Sequence, residues 1–145
     1  MSALARYFKA KKWVVSGSDL LSSPITDSLQ KEAINVKIGH IPGNIPSNTS
    51  LVVYNRAIPE SNLELRQAEK LGLKILPYAE VLGELTRKHL TIAITGSHGK
   101  STTTALTGLV CMKGGIDPTI LPAVELAAPC IPCPIFFVDS RACCA

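Results

Sequence analysis

The sequence predicts an α/β protein built around a mainly parallel β-sheet. Over about the first 121 residues, short runs of β-branched and apolar residues alternate with amphipathic segments, which is the pattern of strands joined by helices. Several of the predicted strands end at glycine or polar residues, which favour turns. With 46% hydrophobic residues in a length of 145, the chain can bury a core of its own.

The alternating pattern opens on a helix. Leu4, Tyr7 and Phe8 fall on one helical face, and residues 13–15 then predict a strand that runs into a turn at residues 17–19. Because a parallel α/β unit opens on a strand, we expect the chain to begin after a first strand that it lacks.

The next elements keep the same alternation. A second helix is predicted to begin near Pro24, and residues 36–38 predict a second strand. After a loop rich in proline and glycine, residues 51–54 predict a third strand. Residues 61–64 fit a capping box, which opens a helix that we expect to end at Gly72.

The last elements lead to a predicted domain boundary. Residues 74–76 predict a fourth strand, and residues 80–86 predict the helix after it. A polar break at residues 87–89 separates them from residues 90–95, which predict a strand leading into a glycine-containing turn. We place the boundary at this break. Residues 119–121 predict one more strand.

The C-terminal segment, residues 122–145, differs in composition from the rest. Prolines at positions 122, 129, 132 and 134 predict that it has no regular secondary structure. Cys130 and Cys133 form a C-x-x-C pair, and Cys143 and Cys144 could complete a zinc site. Zinc is disfavoured because adjacent cysteines are awkward ligands and no histidine lies nearby. We leave the segment unassigned, with a change of reading frame or an arbitrary end of the gene prediction as the preferred explanation.

Charge and hydropathy argue against two classes of protein. The net charge of +4 is scattered apart from a basic run near the start, and aromatic residues are only 5%, so we expect no nucleic-acid partner. No apolar stretch reaches 18 residues, and the first residues lack the features of a secretion signal. The expectation is a cytoplasmic protein that does not enter a membrane.

The strongest chemical signal is a phosphate-binding loop between the strand predicted at residues 90–95 and a following helix. Gly96 and Gly99 allow backbone N–H groups to approach a phosphate, and the helix N-terminus adds a favourable dipole. Lys100 can reach the β and γ phosphates of ATP. The hydroxyls of Ser101 and Thr102 can hold Mg²⁺.

Two alternatives apply to this loop. The general G-x-x-x-x-G-K-[ST] pattern requires a glycine where Ile94 stands, so the glycines could merely form a tight turn with a solvated Lys100. The strand before the loop and the helix after it favour phosphate binding. His98 could contact the nucleotide, but the interpretation of a solvent-facing spacer is preferred.

The loop resembles the compact G-[TS]-x-G-K-[ST]-[ST] loop of the Mur ligase family, which is shorter than the general pattern. The runs VVSGSD, VKIGH, VVYNRAIPESNLEL and ILPYAEVLGEL are also similar to segments of that family, and the likeness extends from residue 1 to about residue 121. It implies Lys100 as a catalytic residue. It also implies ATP binding by the whole loop, which consists of Gly96, Ser97, His98, Gly99, Lys100, Ser101 and Thr102.

The resemblance divides the chain into three parts. Residues 1–89 would form an incomplete, Rossmann-like UDP-sugar-binding domain without its first strand. Residues 90–121 would begin the P-loop ATP-binding domain, and residues 122–145 match nothing in the family. The G-x-G-G-x-G turn that would hold the UDP diphosphate is absent from the sequence.

Three residues remain as candidate contacts of the uridine or diphosphate, namely Asp19, His40 and Asn55. Structural roles are equally open for two of them, because Asp19 ends a strand in a turn and His40 can cap one.

Within the family, the loop is most similar to that of members that join L-alanine to UDP-N-acetylmuramate. The resemblance therefore implies a ligase that uses ATP and Mg²⁺ to activate the muramate carboxylate as an acyl phosphate, which the amine of L-alanine attacks. One alternative is a related ligase that adds a whole peptide during cell-wall recycling. Another is a nucleotide-binding module without catalysis. We expect the 145-residue chain to be a fragment that is inactive by itself.

Overall fold

The computed structural model describes residues 1–121 and 135–139 of the chain. It contains a five-stranded sheet with helices packed against it, so the predicted α/β class and mostly parallel sheet are confirmed. In chain order the elements are α1 (Ser2–Ala10), β1 (Val14–Asp19), α2 (Pro24–Lys31), β2 (Asn35–Ile38), a 3₁₀ turn (Pro42–Asn44), β3 (Leu51–Tyr54), α3 (Leu63–Lys70), β4 (Lys74–Pro77), α4 (Tyr78–Lys88), α5 (Lys100–Lys113) and β5 (Ile135–Asp139).

The sheet order is β2-β1-β5-β3-β4. β1 pairs with β2 in parallel, and β3 pairs with β4 in parallel, whereas β5 runs antiparallel to both β1 and β3. A doubly wound sheet has the order 3-2-1-4-5, with its first strand at the centre. β1 to β4 stand where the second to fifth strands of that order belong. β5 takes the central position in the opposite direction.

β5 supplies the centre of the hydrophobic core on both faces of the sheet. Phe136 and Val138 belong to the cluster that contains Leu4 and Phe8 of α1, and Ile135 and Phe137 belong to the opposite cluster. These four β5 side chains are at most 2% exposed. A Cβ on Gly17 of β1 would lie 2.6 Å from the Ile135 carbonyl oxygen, so the close approach of β1 to β5 requires glycine there.

Our expectation that the C-terminal segment has no regular structure is wrong for residues 135–139. The last of the four prolines, Pro134, precedes β5, and the five residues after it are free of proline and mostly apolar. An apolar run of this kind forms a strand when strands lie on both sides of it. The cysteines considered as zinc ligands lie outside the described residues.

Two predicted strands do not form. Residues 90–95 and 119–121 have no regular structure, although both runs are apolar. A strand requires a hydrogen-bonded neighbour, and neither run borders the sheet. Leu90 is fully exposed and Ile92 is 66% exposed, so these side chains do not enter the core.

Local side-chain bonds define two of the helix starts. Ser23 and Thr26 form a reciprocal capping box before α2. α3 begins one residue later than the capping-box pattern indicates, because the Asn62 side chain accepts the N–H groups of Glu64 and Leu65. Within the part of the chain that the structure describes, no helix has the length and apolar character needed to span a membrane.

Candidate functional site

The first candidate site lies at the carboxyl ends of the parallel strands. Asp19 is the last residue of β1, and its carbonyl oxygen accepts the N–H of Gly39, which follows β2, at 2.7 Å. This bond joins the two strand ends and brings His40 into the same neighbourhood. Ligands of open α/β sheets bind at this edge of the sheet.

Asp19 is buried, with 5% of its surface exposed. Burial raises the pKa of its carboxyl above the ordinary value, while the backbone N–H groups of Leu20 and Leu21 and the charge of His40 oppose that shift. Its Oδ1 atom is buried and has no hydrogen-bond partner among the residues that the structure describes. An unpartnered buried carboxylate oxygen is costly, and a ligand that donates a hydrogen bond would relieve that cost.

His40 belongs to a largely buried polar cluster of four side chains, which are Ser18, His40, Asn44 and Glu64. His40 Nδ1 lies 3.0 Å from Ser18 Oγ and 3.1 Å from Glu64 Oε2. Glu64 and Ser18 are both 0% exposed, and the Asn44 amide donates to Glu64 Oε1 at 2.6 Å. The cluster fixes the imidazole from the protein side and leaves the His40 side chain 15% exposed.

Asn55 follows β3 and therefore lies at the same edge of the sheet as Asp19. Tyr54 and Ser18 both pair with Ile135, which places the ends of β3 and β1 on either side of the first residue of β5. The Asn55 side chain accepts the N–H of Ala57 at 3.1 Å and so stabilises its own turn. The structure thus places the three predicted uridine-site residues at one edge, with Asp19 and His40 close together.

The second candidate site is the loop before α5. Gly99 has φ +73° and stands at the start of the helix, where no side chain caps the first turn. Gly96 has φ +150°, which also favours glycine. The N–H groups at the start of α5 therefore lack a capping partner, and such groups favour an anion.

The Lys100 side chain folds back onto this loop. Its Nζ donates to the carbonyl oxygen of Gly96 at 2.6 Å and to that of Ser97 at 3.2 Å. A Cβ on Gly99 would meet no atom within 4 Å, so the space in front of the helix start is open. His98, Ser101 and Thr102 are exposed. Uncapped N–H groups, open space and an adjacent ammonium fit a polyphosphate.

Sequence reasoning missed three members of the His40 cluster, which are Ser18, Asn44 and Glu64. An acidic residue in the first turn of a helix is ordinarily solvated and favourable to the helix dipole, so the sequence alone gave no reason to bury Glu64. The sequence offered one indication that this part of the helix is buried, namely the apolar neighbour Leu65, which also lies in the core.

The fold is that of a mostly parallel α/β protein, and the loop before α5 is a candidate phosphate-binding loop. A model of the Mur ligase family, catalytic domain, matches residues 1–90, which is more than half of the chain. The chain belongs to the Mur ligase family.

Relatives that share sequence with the chain agree on one branch of this family. The chain is 43% identical over 122 residues to the UDP-N-acetylmuramate–L-alanine ligase of Clostridium kluyveri, covering 83% of the chain and 27% of that protein. It is 42% identical over 129 residues to the ligase of the same name from Acetivibrio thermocellus, covering 88% of the chain and 27% of that protein. The chain therefore spans about a quarter of the length of these relatives.

A solved structure shows the same relationship. The crystal structure of the UDP-N-acetylmuramate–alanine ligase of Thermotoga maritima superposes with a TM-score of 0.74 at 26% sequence identity. The match covers 77% of this chain and 26% of that one.

Proposed function

We propose that this chain forms the nucleotide-sugar-binding part and the ATP loop of a ligase that joins L-alanine to UDP-N-acetylmuramate. The observation that carries the proposal is the uncapped start of α5 beside Lys100, in a chain about 40% identical to ligases of that name. Residues 1–89 would contribute the UDP-sugar side and residues 90–121 the ATP side. No role is assigned to residues 122–145 as a whole.

The loop residues would act by positioning and by neutralising charge. Gly96 and Gly99 allow the backbone N–H groups to approach the phosphates, and the Lys100 ammonium stabilises negative charge on the transferred phosphoryl group. A hydroxyl of Ser101 or Thr102 would hold Mg²⁺. When bound, ATP with Mg²⁺ supplies the phosphoryl group that activates the muramate carboxylate toward the amine of L-alanine.

The Lys100 contacts support a change on binding. Its ammonium bonds to two loop carbonyl oxygens, at Gly96 and Ser97. Reaching a phosphate would exchange these neutral acceptors for an anion, which adds Coulomb attraction between opposite charges. ATP would therefore compete successfully for the lysine.

The uridine side would use Asp19, His40 and Asn55 at the carboxyl edge of the sheet. The buried, unpartnered Oδ1 of Asp19 supports this assignment, because a nucleotide carries hydroxyl and N–H donors that could pair with it. Asn55 already caps its own turn, so its amide N–H₂ is the group that remains for a ligand.

Calorimetry with ATP and Mg²⁺ tests the ATP loop. Lys100→Ala should weaken binding by at least about tenfold, because it removes a charge-assisted hydrogen bond of about 1.5–3 kcal/mol. Lys113→Ala, at the exposed far end of the same helix, is the matched control and should leave affinity unchanged. Equal affinity for the Lys100→Ala variant and the unaltered chain would remove this lysine from the proposal.

A turnover assay tests the extent of the site. Acyl-phosphate chemistry requires ATP, metal, carboxylate and amine to be held together, and this positioning supplies much of the rate enhancement. The chain spans 27% of its relatives, so we expect no alanine-dependent phosphate release when it is given both substrates, ATP and Mg²⁺. Release at ordinary enzyme rates would show that 145 residues suffice and would contradict this division of the site.

A further inference from the structure

Glu64 is a charged residue in an unusual position. It is the second residue of α3, and it is 0% exposed, whereas acidic residues in the first turn of a helix are ordinarily solvated. Burying a carboxylate is costly unless donors satisfy both of its oxygens. A buried carboxylate whose oxygens both accept hydrogen bonds is held in one orientation by the surrounding protein.

The two oxygens of Glu64 have different partners. Oε1 accepts the Asn44 side-chain N–H at 2.6 Å and the backbone N–H of Ile41 at 3.2 Å, and neither of these N–H groups can accept a hydrogen bond. Oε2 accepts the Ser18 hydroxyl at 2.5 Å and lies 3.1 Å from His40 Nδ1. Oε1, the outer oxygen of Glu64, therefore accepts from two groups that can only donate. Oε2, the inner oxygen, faces the imidazole.

This arrangement determines which ring nitrogen of a neutral His40 carries the hydrogen. Because the Ser18 hydroxyl donates to Glu64, its oxygen also faces Nδ1 as an acceptor, at 3.0 Å. A neutral imidazole surrounded in this way carries its hydrogen on Nδ1 and leaves Nε2 as an acceptor. Among the described residues, no hydrogen bond to Nε2 of His40 is found, and the side chain is 15% exposed.

We propose that Glu64 is a positioning residue that holds His40 as its Nδ1–H tautomer, so that Nε2 accepts a hydrogen bond from a hydroxyl or N–H group of a uridine nucleotide. The proposal rests on the uridine site described above and names the protein group that prepares it. The buried Oδ1 of Asp19, which lacks a partner in the described part of the chain, is a second acceptor at the same edge. Two acceptors at one edge of the sheet suit a ribose, whose 2′- and 3′-hydroxyls are two donors.

The tautomer can be measured in the unaltered 145-residue chain. Long-range ¹H–¹⁵N NMR, recorded over a series of pH values, separates the nitrogen that carries hydrogen from the bare one. We expect Nδ1–H for His40, with His89 and His98 as internal references. An Nε2–H tautomer for His40 would overturn the proposal, whether or not any variant folds.

Glu64→Gln sharpens this test. If the new N–H₂ group took the outer position, it would face the donors of Ile41 and Asn44, so it should take the inner position instead. There it would donate toward His40 Nδ1, and the imidazole should switch to the Nε2–H tautomer. Persistence of Nδ1–H in a folded Glu64→Gln chain would contradict the proposed role. Glu69→Gln, on the exposed side of α3, is the matched control and should leave the tautomer unchanged.

Titration with UDP connects the tautomer to binding. Glu64→Gln should weaken UDP binding by about tenfold, since one hydrogen bond to the ligand is converted from acceptor to donor. A switched tautomer with unchanged UDP affinity would overturn the proposed link between Glu64 and the ligand. If the unaltered chain shows no shift at His40 with either UDP or uridine, which does not need the missing diphosphate turn, the uridine site itself is wrong, while the tautomer measurements still decide what Glu64 does to His40.

Discussion

The starts of α3 and α5 contrast two uses of a helix N-terminus. At α3, the Asn62 side chain caps the first turn, and the buried Glu64 carboxylate lies within that turn, in the polar cluster. At α5, Gly99 provides no cap and the first turn faces open space. One start satisfies its N–H groups within the fold, whereas the other leaves them without a side-chain cap.

The regions around these helices differ in the same way. α3 packs Leu65 and Ala68 into a core shared with β5, while Leu106, Leu109, Val110 and Met112 of α5 remain exposed. Residues 1–88 with β5 therefore carry most of the stability, and residues 90–121 carry an incompletely buried helix. The difference shows that the strength of a phosphate-loop motif does not measure how well its surroundings are packed.

Phe137→Ala should give the largest effect. This side chain is 1% exposed at the centre of the sheet, between β1 and β3, so truncation should lower the free energy of unfolding by about 3–5 kcal/mol. Leu109→Ala on α5 should cost less than about 0.5 kcal/mol because that side chain is already 50% exposed. Urea unfolding measures both.

If Phe137→Ala abolishes folding, Phe137→Leu provides the same comparison at a smaller cost. Equal losses for the Phe137 and Leu109 variants would show that β5 does not hold the sheet together.

Removing the cap of α3 should have an intermediate effect. Asn62→Ala deletes the acceptor of two backbone N–H groups and should cost about 1 kcal/mol in the free energy of unfolding. Asn35→Ala, an exposed asparagine at the start of β2, is the matched control. A loss no greater than that of the control would mean that water replaces the cap, and the contrast between α3 and α5 would lose its energetic basis.

Asp19→Asn should produce the smallest change, a gain in stability that depends on pH. Because burial raises the folded-state pKa of Asp19, the folded chain binds its proton more tightly than the unfolded chain. The ionised carboxylate therefore destabilises the fold above the folded-state pKa, and this cost disappears below the ordinary aspartate pKa. The asparagine variant should be more stable at neutral pH and equal to the unaltered chain in acid.

Thermal unfolding at several pH values follows this difference, with the exposed Asp117→Asn as control. A variant that is less stable than the unaltered chain at neutral pH would mean that ionised Asp19 stabilises the fold.

Several elements could be predicted because their signals are local. The face of Leu4 and Phe8, the β-branched run of β3 and the Ser23 cap each depend on residues close together in the chain, and α1, β3 and α2 formed where expected. The phosphate loop was found in the same way, since its glycines, lysine and hydroxyls are consecutive. Its binding of ATP and Mg²⁺ stays a prediction.

By itself, the sequence determined the α/β class, most helix and strand positions, and the glycine and lysine chemistry of the loop, because these depend on short-range periodicity and backbone freedom. Only the tertiary structure decided which apolar runs became strands. Residues 90–95 stayed irregular without a neighbour, while Ile135–Asp139 became the central strand between β1 and β3. It also decided that Glu64 faces His40 across 24 positions of sequence, since hydrogen-bond partners brought together by strand order leave no trace in local pattern.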